Sequence, residues 1–177
     1  PDAGIMAIPP RPRTERLMNL PLLLRAYVFL GLIEAGIAMG AFFLLLLTQG
    51  WTWGMPLAWS DPLYKQATAA TFAAIVVAQV ANVFACRSER LSLSRLGLFN
   101  NPLLLWGIAT ELVVLAFIIY TPWGNAIFGT SPLPLWIFGP LVLGAMALLF
   151  AEETRKIIVN RFTNSRAGKV TQQAGTL

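Results

Sequence analysis

The 177-residue chain has no histidine, a single cysteine and only 12% charged residues. Without histidine it lacks the commonest metal ligand and the usual general base at neutral pH. The lone Cys86 excludes an internal disulfide. The sequence also has no phosphate-binding Gly-x-x-x-x-Gly-Lys motif and no Gly-x-Ser-x-Gly nucleophile elbow. We therefore expect no catalytic residues and no bound cofactor within this chain.

Hydrophobic residues make up 56% of the chain and occur in blocks of about 20, which is the length that crosses a bilayer as a helix. The pattern predicts an all-α, polytopic membrane protein with four transmembrane helices, at about residues 20–48, 66–86, 102–120 and 132–150. A cytoplasmic lead-in is expected at 1–19 and a disordered cytoplasmic tail at 161–177. The first residue is not methionine, which we interpret as the start of an excised segment.

Local signals refine the helix ends and the packing. Asn101 and Pro102 are typical of a helix start, and Ser131-Pro132 is expected to open the fourth span, with Pro140 as a kink. Tryptophans after the first span indicate a membrane interface. Alanine recurs through the second span, which we expect to be central in the bundle.

The basic residues favour one orientation. Lys65 is the only Lys or Arg, of 13 in the chain, that falls in the two loops between spans one and two and between spans three and four. The positive-inside rule then places both termini in the cytoplasm, with the chain in the cell membrane. Topology thus accounts for the net charge of +5, and no nucleic-acid partner is expected.

Four polar side chains inside the spans are candidates for a cation path, because an ionised group there costs about 2.5 to 3.5 kcal/mol without a partner. Glu34 lies in the first span beside Gly36 and Gly40, whose spacing permits close helix approach. It is either protonatable in an ion path or a neutral hydrogen-bonding group. Gln79 and Asn82 share one face of the second span and provide either cation ligands or interhelical hydrogen bonds.

Glu111 lies in the third span, where burial against Gln79 or Asn82 would satisfy its carboxylate. By contrast, Arg25 is expected to extend toward the cytoplasm. Glu152 and Lys156 are expected to form a solvated pair on the helix beyond the fourth span.

Several ordered segments resemble type II cation-pumping P-type ATPases. Pro9–Arg13 before the first span resembles the loop between their sixth and seventh helices. Val76–Asn82 leading to Cys86–Arg90 is similar to the eighth helix, Trp106–Glu111 to the ninth, and Glu152–Lys156 to the end of the tenth. The resemblance implies the last four of ten helices in a pump whose other domains bind ATP and Mg²⁺ and form an aspartyl phosphate.

The resemblance also carries residue roles. Gln79 matches an eighth-helix position that is Glu in calcium pumps and Gln in sodium/potassium pumps. Asn82 stands where the latter have Asp, Glu111 resembles a ninth-helix Glu of an additional sodium site, and Glu34 lies near a seventh-helix Gln. Asn82 removes a formal charge and Thr110 replaces an acidic neighbour, so the transported cation is not assigned.

Two functions follow as hypotheses. In the first, the chain is the membrane support domain of an ATP-driven cation pump, with the lipid bilayer, the other helices and the cytoplasmic domains as partners and no activity of its own. In the second, it is a stand-alone four-helix protein that forms an oligomeric channel or an accessory subunit.

Overall fold

The computed structural model describes residues 20–86 and 101–174, so the predicted lead-in at 1–19, the basic loop after the second span and the last three residues lie outside the described part. The helices are α1 (Leu20–Thr48), α2 (Pro62–Ala85), α3 (Pro102–Tyr120), α4 (Pro122–Phe128) and α5 (Phe138–Ala174). Four helical segments are long and apolar enough to cross a membrane: α1, α2, α3 and Leu135–Arg161. The predicted all-α class is confirmed, with no strand among the described residues.

Side-chain caps set the starts of α2 and α3. The Asp61 carboxylate accepts the backbone N–H of Leu63 at 2.8 Å, and Pro62 takes the first helical position. This cap starts α2 four residues before the predicted boundary at 66. The Asn101 side chain accepts the N–H of Leu104 at 3.3 Å, which starts α3 at the predicted residue.

The connection after α3 differs from the expected loop because it contains the short helix α4. Thr121 caps α4 by accepting the N–H of Gly124 at 3.0 Å. Gly129 ends α4 with a left-handed φ of 66°, a conformation that L side chains rarely adopt. The chain then runs without helix to the short 3₁₀ turn Leu135–Ile137.

The fourth span does not begin at Ser131-Pro132 as the sequence suggested. Its α-helix starts at Phe138, so Pro140 lies in the first turn, where its missing N–H removes no helical hydrogen bond. No kink is therefore required at Pro140. The helix continues to Ala174, through most of the region where we expected a disordered tail.

Helix α2 is central, as its alanine content predicted. It packs most extensively against α1 and next most against α5. Its side chains at 67, 69, 70 and 73 are fully buried alanines, which allow the neighbouring helices to approach closely. Helix α3 is peripheral, and its buried residues all fall in its C-terminal half, at Leu115, Ile118 and Ile119.

Among the described glycines of the long helices, Gly144 is the most closely approached, at the contact between α1 and α5. A Cβ added to Gly144 would lie 2.8 Å from Cγ2 of Ile37. Gly36 and Gly40, which the sequence marked for close packing, meet nothing within 4 Å of an added Cβ among the described residues. Their side of α1 is open.

Candidate functional site

A cavity of about 260 Å³ lies between α1 and α2. From α1 it is lined by Gly31, Glu34, Ala35 and Ala38, and from α2 by Ile75 and Gln79. Two of the predicted cation-path residues, one on each helix, therefore share one cavity. Every other lining side chain is apolar or absent.

Glu34 occupies the midpoint of the Leu20–Thr48 span. Its Oε1 atom is buried and has no hydrogen-bond partner in the described part of the chain. A buried polar atom without a partner costs about 1–3 kcal/mol, and more when the group is charged. Such an atom needs a proton, a cation or a donor from outside this helix pair.

Gln79 carries the complementary group. Its side chain is exposed, and its amide makes no hydrogen bond with any described residue. The amide therefore has both donors and its carbonyl oxygen available to the cavity. On α2 the preceding residue, Ala78, is buried in the helix–helix interface, whereas Gln79 lies outside that interface and is exposed.

Asn82 is half-buried one turn along α2 and does not line the cavity. Its side-chain oxygen accepts from Sγ of Cys86 at 3.5 Å, a contact within the same helix. The i, i+3 spacing placed Gln79 and Asn82 near one face, but only the first reaches the cavity.

Glu111 is half-buried on α3 and forms no hydrogen bond with Gln79 or Asn82 among the described residues. The expected polar cluster between α2 and α3 is therefore not formed there. The reason is the packing of α3, whose first buried residue, Leu115, follows one turn later. In the structure the neighbour of Gln79 across the cavity is Glu34 instead.

A second polar cluster joins α1 and α5 at the basic end of the bundle, which we define by Arg25, Arg155 and Lys156. Glu152 is fully buried. Its Oε1 accepts from Nη2 of Arg25 at 2.5 Å and from Nη2 of Arg155 at 2.7 Å, and its Oε2 accepts from Nε of Arg155 at 2.8 Å. Two guanidinium groups thus surround one carboxylate.

This cluster corrects two expectations. Arg25 does not simply extend toward water, because its side chain is 12% exposed and bound to Glu152. The predicted pair of Glu152 with Lys156 is wrong, since Lys156 contacts Glu153 at 3.0 Å. The i, i+4 spacing within α5 could not show that Glu152 pairs with Arg25 on α1. The signal available in the sequence was a lone arginine inside the first apolar block.

The start of α1 has the backbone that brings Arg25 to this position. Leu24–Leu30 forms a π-helical segment, which is rare and usually short. Widening the helix changes the direction in which Arg25 projects relative to Glu34. One residue can therefore face α5 while the other faces the cavity beside α2.

The two polar clusters have different chemical capacities. In the cluster at the basic end both oxygens of Glu152 accept hydrogen bonds from arginine, although Arg25 Nε is buried without a partner among the described residues, and we interpret the cluster as a structural link. The cavity offers one carboxylate and one amide in an apolar wall, a donor set of hard oxygen atoms. Among residues 20–86 and 101–161, no group of three or more His, Cys, Asp or Glu side chains could hold a metal ion.

The fold is that of a polytopic helical membrane protein, and comparison with known proteins identifies its kind. The family described as "Cation transporting ATPase, C-terminus" matches residues 1–158. The chain is 30% identical over 197 residues to the sodium/potassium-transporting ATPase subunit alpha-2 of Gallus gallus, covering 96% of the chain and 19% of that protein. It is 26% identical over 190 residues to the potassium-transporting ATPase alpha chain 1 of Xenopus laevis, covering 93% of the chain and 18% of that protein.

The chain therefore belongs to the family of cation-transporting ATPase C-terminal regions. Its four apolar helices are the transmembrane region that this family contributes to a P-type ATPase. It spans about a fifth of the length of the curated relatives it matches. The resemblance inferred from the sequence motifs is confirmed.

Proposed function

We propose that this chain is the membrane support domain of an ATP-driven cation pump and that its cavity borders the cation path. In this proposal α1, α2 and α5 brace the ion-binding helices of the rest of the pump. ATP and Mg²⁺ bind in cytoplasmic domains outside this chain. The helices span the cell membrane, and the basic end faces the cytoplasm.

The observation that carries the proposal is the shared cavity of Glu34 and Gln79. Polar groups inside a membrane are expensive and usually mark a pathway or a structural pair. A structural pair would use up the hydrogen-bonding atoms, yet Glu34 Oε1 and the Gln79 amide have no partner within the described residues. The pair is therefore available to a cation or to groups on the neighbouring helices.

The bracing role is supported by how unevenly the domain is packed. Alanines of α2 are buried against α1 and α5. The ion pairs of Glu152 with Arg25 and Arg155 hold α1 against α5. On the face of α1 opposite the cavity lining, Gly36 and Gly40 are exposed. A rigid three-helix block with one open, small-residue face suits close packing by another helix of the pump.

The other two candidates have a weaker claim. The side-chain oxygen of Asn82 already accepts a hydrogen bond from Cys86, and Glu111 lies on the peripheral helix α3. We assign them to the surroundings of the cation path, where they contribute if further helices close around α2 and α3.

The test is Gln79→Ala in the full-length pump, with apparent cation affinity read from cation-stimulated ATPase activity. Loss of one ligand worth about 1 kcal/mol lowers that affinity about fivefold. Gln49→Ala is the matched control, since Gln49 is exposed in the turn after α1 and should leave the affinity unchanged. Equal affinities in Gln79→Ala and the unmodified pump would contradict a role in the path.

Family membership favours the pump over the stand-alone four-helix oligomer. Cross-linking in native membranes separates the two. The pump proposal expects the chain within a polypeptide about five times its length and no ladder of four-helix units. A ladder at multiples of 19.4 kDa would support the oligomer instead.

A further inference from the structure

An aromatic contact joins α1 and α2 on the side of the cavity that faces away from the basic end. The ring of Phe42 on α1 meets the ring of Tyr64 on α2 edge to face, with the ring centroids 6.2 Å apart. Phe42 lies about one helical turn beyond Ala38 of the cavity wall, and Tyr64 about three turns from Ile75, each on the same face of its helix. The contact therefore lies between the cavity and the loop at residues 49–61, which we call the loop end.

Further rings hold Phe42 in place. It packs against Phe43 with the ring centroids 5.4 Å apart, and Phe43 packs against Trp53 at 5.5 Å. Trp53 belongs to the loop end, where Trp51 contacts it at 5.3 Å. Aromatic side chains have few rotatable bonds, and pairs with this geometry add to the energy of burial. A continuous row of rings thus connects the loop end to the contact between Phe42 and Tyr64.

The cavity has no comparable closure toward the basic end among the described residues. Tyr27 is the aromatic residue of α1 at a similar distance on that side, seven positions from Glu34 compared with eight for Phe42. Its surface is 74% exposed, and it makes no ring contact with a described residue. On α2, Val83 and Cys86 lie toward the same end and are exposed. The two ends of the cavity therefore differ.

We propose that Phe42 and Tyr64 form an apolar seal that closes the cavity toward the loop end, so that in this structure cations exchange between the cavity and the basic end alone. This inference rests on the proposed function and adds the route by which cations reach the cavity. Apolar constrictions block ions by excluding the water that must accompany them. A pump needs such a barrier, because a path open at both ends would let cations flow back down their gradient.

The experiment determines the side of the membrane from which a cysteine in the cavity reacts. Ala35→Cys is introduced into a full-length pump whose own reactive cysteines, Cys86 included, have been changed to serine, and the pump is reconstituted in sealed vesicles. A charged, membrane-impermeant thiol reagent is applied to each side in turn. We expect modification from the side of the basic end and a much lower rate from the side of the loop end.

Phe42→Ala and Tyr64→Ala should each raise the rate from the loop end. The expected increase is about two- to tenfold, the factor to which the loss of one aromatic pair corresponds. Tyr64→Phe keeps the ring and should leave that rate unchanged. Phe117→Ala is the matched control, because it removes an exposed ring on α3 and should also have no effect. An unchanged rate from the basic end shows that a variant still folds around the cavity.

A rate from the loop end that neither Phe42→Ala nor Tyr64→Ala changes would overturn the seal. Equal modification from both sides, in a pump with both rings intact, would also overturn it. In either case the proposed function survives if Gln79→Ala still lowers cation affinity. If Ala35→Cys reacts from neither side and Gln79→Ala leaves the affinity unchanged, both proposals fail.

Discussion

Arg25 and Glu152, separated by 127 positions in the sequence, form an ion pair of 2.5 Å between the first and last membrane helices. Arg155 completes the pair from the next turn of α5. Burying charges is costly, so such a pair persists only when geometry and hydrogen bonds compensate. Here both carboxylate oxygens accept hydrogen bonds, which makes the cluster a fixed link between the two helices.

Replacing Glu152 by Ala should destabilise the domain strongly. The change removes the buried carboxylate that accepts hydrogen bonds from Arg25 and Arg155, and breaking a buried pair typically costs about 3–5 kcal/mol. The measurement is the fraction of detergent-solubilised full-length pump that stays monodisperse after a series of heating steps. We expect a lower midpoint temperature for Glu152→Ala.

Arg25→Met and Arg161→Met form a matched pair for the same assay. Arg25 is bound to Glu152, whereas Arg161 is exposed at the far end of the described side chains. Arg25→Met should lower the midpoint, and Arg161→Met should change it little. Equal effects of the two substitutions would show that the link between α1 and α5 contributes nothing specific.

Gly144→Val should separate α1 from α5. An added Cβ would lie 2.8 Å from Cγ2 of Ile37, a β-branched side chain with little rotational freedom. Overpacking of this kind costs about 1–3 kcal/mol. Thermal unfolding of the pump measures the loss.

Gly107→Val is the control, because a Cβ at Gly107 meets no described residue within 4 Å. Both variants place the same β-branched residue in a helix, so their difference isolates the contact with Ile37. The double variant Ile37→Ala, Gly144→Val should recover part of the loss. If the double variant is less stable than Gly144→Val alone, the contact is not the cause.

Asn125→Asp should destabilise the turn after α3. With its amide nitrogen directed to the helix end, Asn125 donates to the carbonyl oxygens of Ile118 at 3.1 Å and Ile119 at 2.9 Å. These carbonyl groups lie in the last turn of α3, where no backbone N–H of the same helix is positioned to donate to them. Aspartate has nearly the same shape but turns the donor into an acceptor.

We expect Asn125→Asp to lower the thermal midpoint more than Asn125→Ala, which removes the donor without adding a repulsive oxygen. The loss for the alanine variant should correspond to about 1–3 kcal/mol for the unsatisfied Ile119 carbonyl, since the Ile118 carbonyl still accepts from Thr130 Oγ1 at 2.8 Å. A higher midpoint for the aspartate variant than for the alanine variant would contradict this hydrogen-bond assignment.

Local sequence patterns predicted the features that depend on interactions between residues close together in the chain. Hydropathy predicted four apolar helices long enough to cross a membrane, Asn101 and Pro102 predicted the start of α3, and the alanines of α2 predicted its central place. Asp61-Pro62 had the same capping chemistry as Asn101-Pro102, yet the polar residues that follow it, Lys65 and Gln66, obscured the helix start.

Contacts between distant helices were not predictable from such patterns. Which residue faces Gln79 across the cavity depends on how α1 and α3 rotate about α2. The ion pair of Glu152 with Arg25 joins two helices and includes a residue of the π-helical segment Leu24–Leu30. Pro140 was misread because a proline in a first turn and a proline that kinks a helix look alike in sequence. The two cases differ in where the helix begins relative to the proline. Here the α-helix begins at Phe138, directly after the 3₁₀ turn Leu135–Ile137.

The central claim, that the cavity beside Glu34 borders a cation path, is tested most directly by cysteine accessibility. Ala35 lines the cavity and is exposed, while Val113 lies on the apolar face of α3 with 68% of its surface exposed. Each is replaced by Cys in a full-length pump whose own reactive cysteines, Cys86 included, have been changed to serine. We predict that a water-soluble, charged thiol reagent modifies Ala35→Cys, that transported cation slows this reaction, and that Val113→Cys stays unmodified. An Ala35→Cys variant that reacts only with a lipid-soluble reagent, at a rate independent of cation, would contradict the claim.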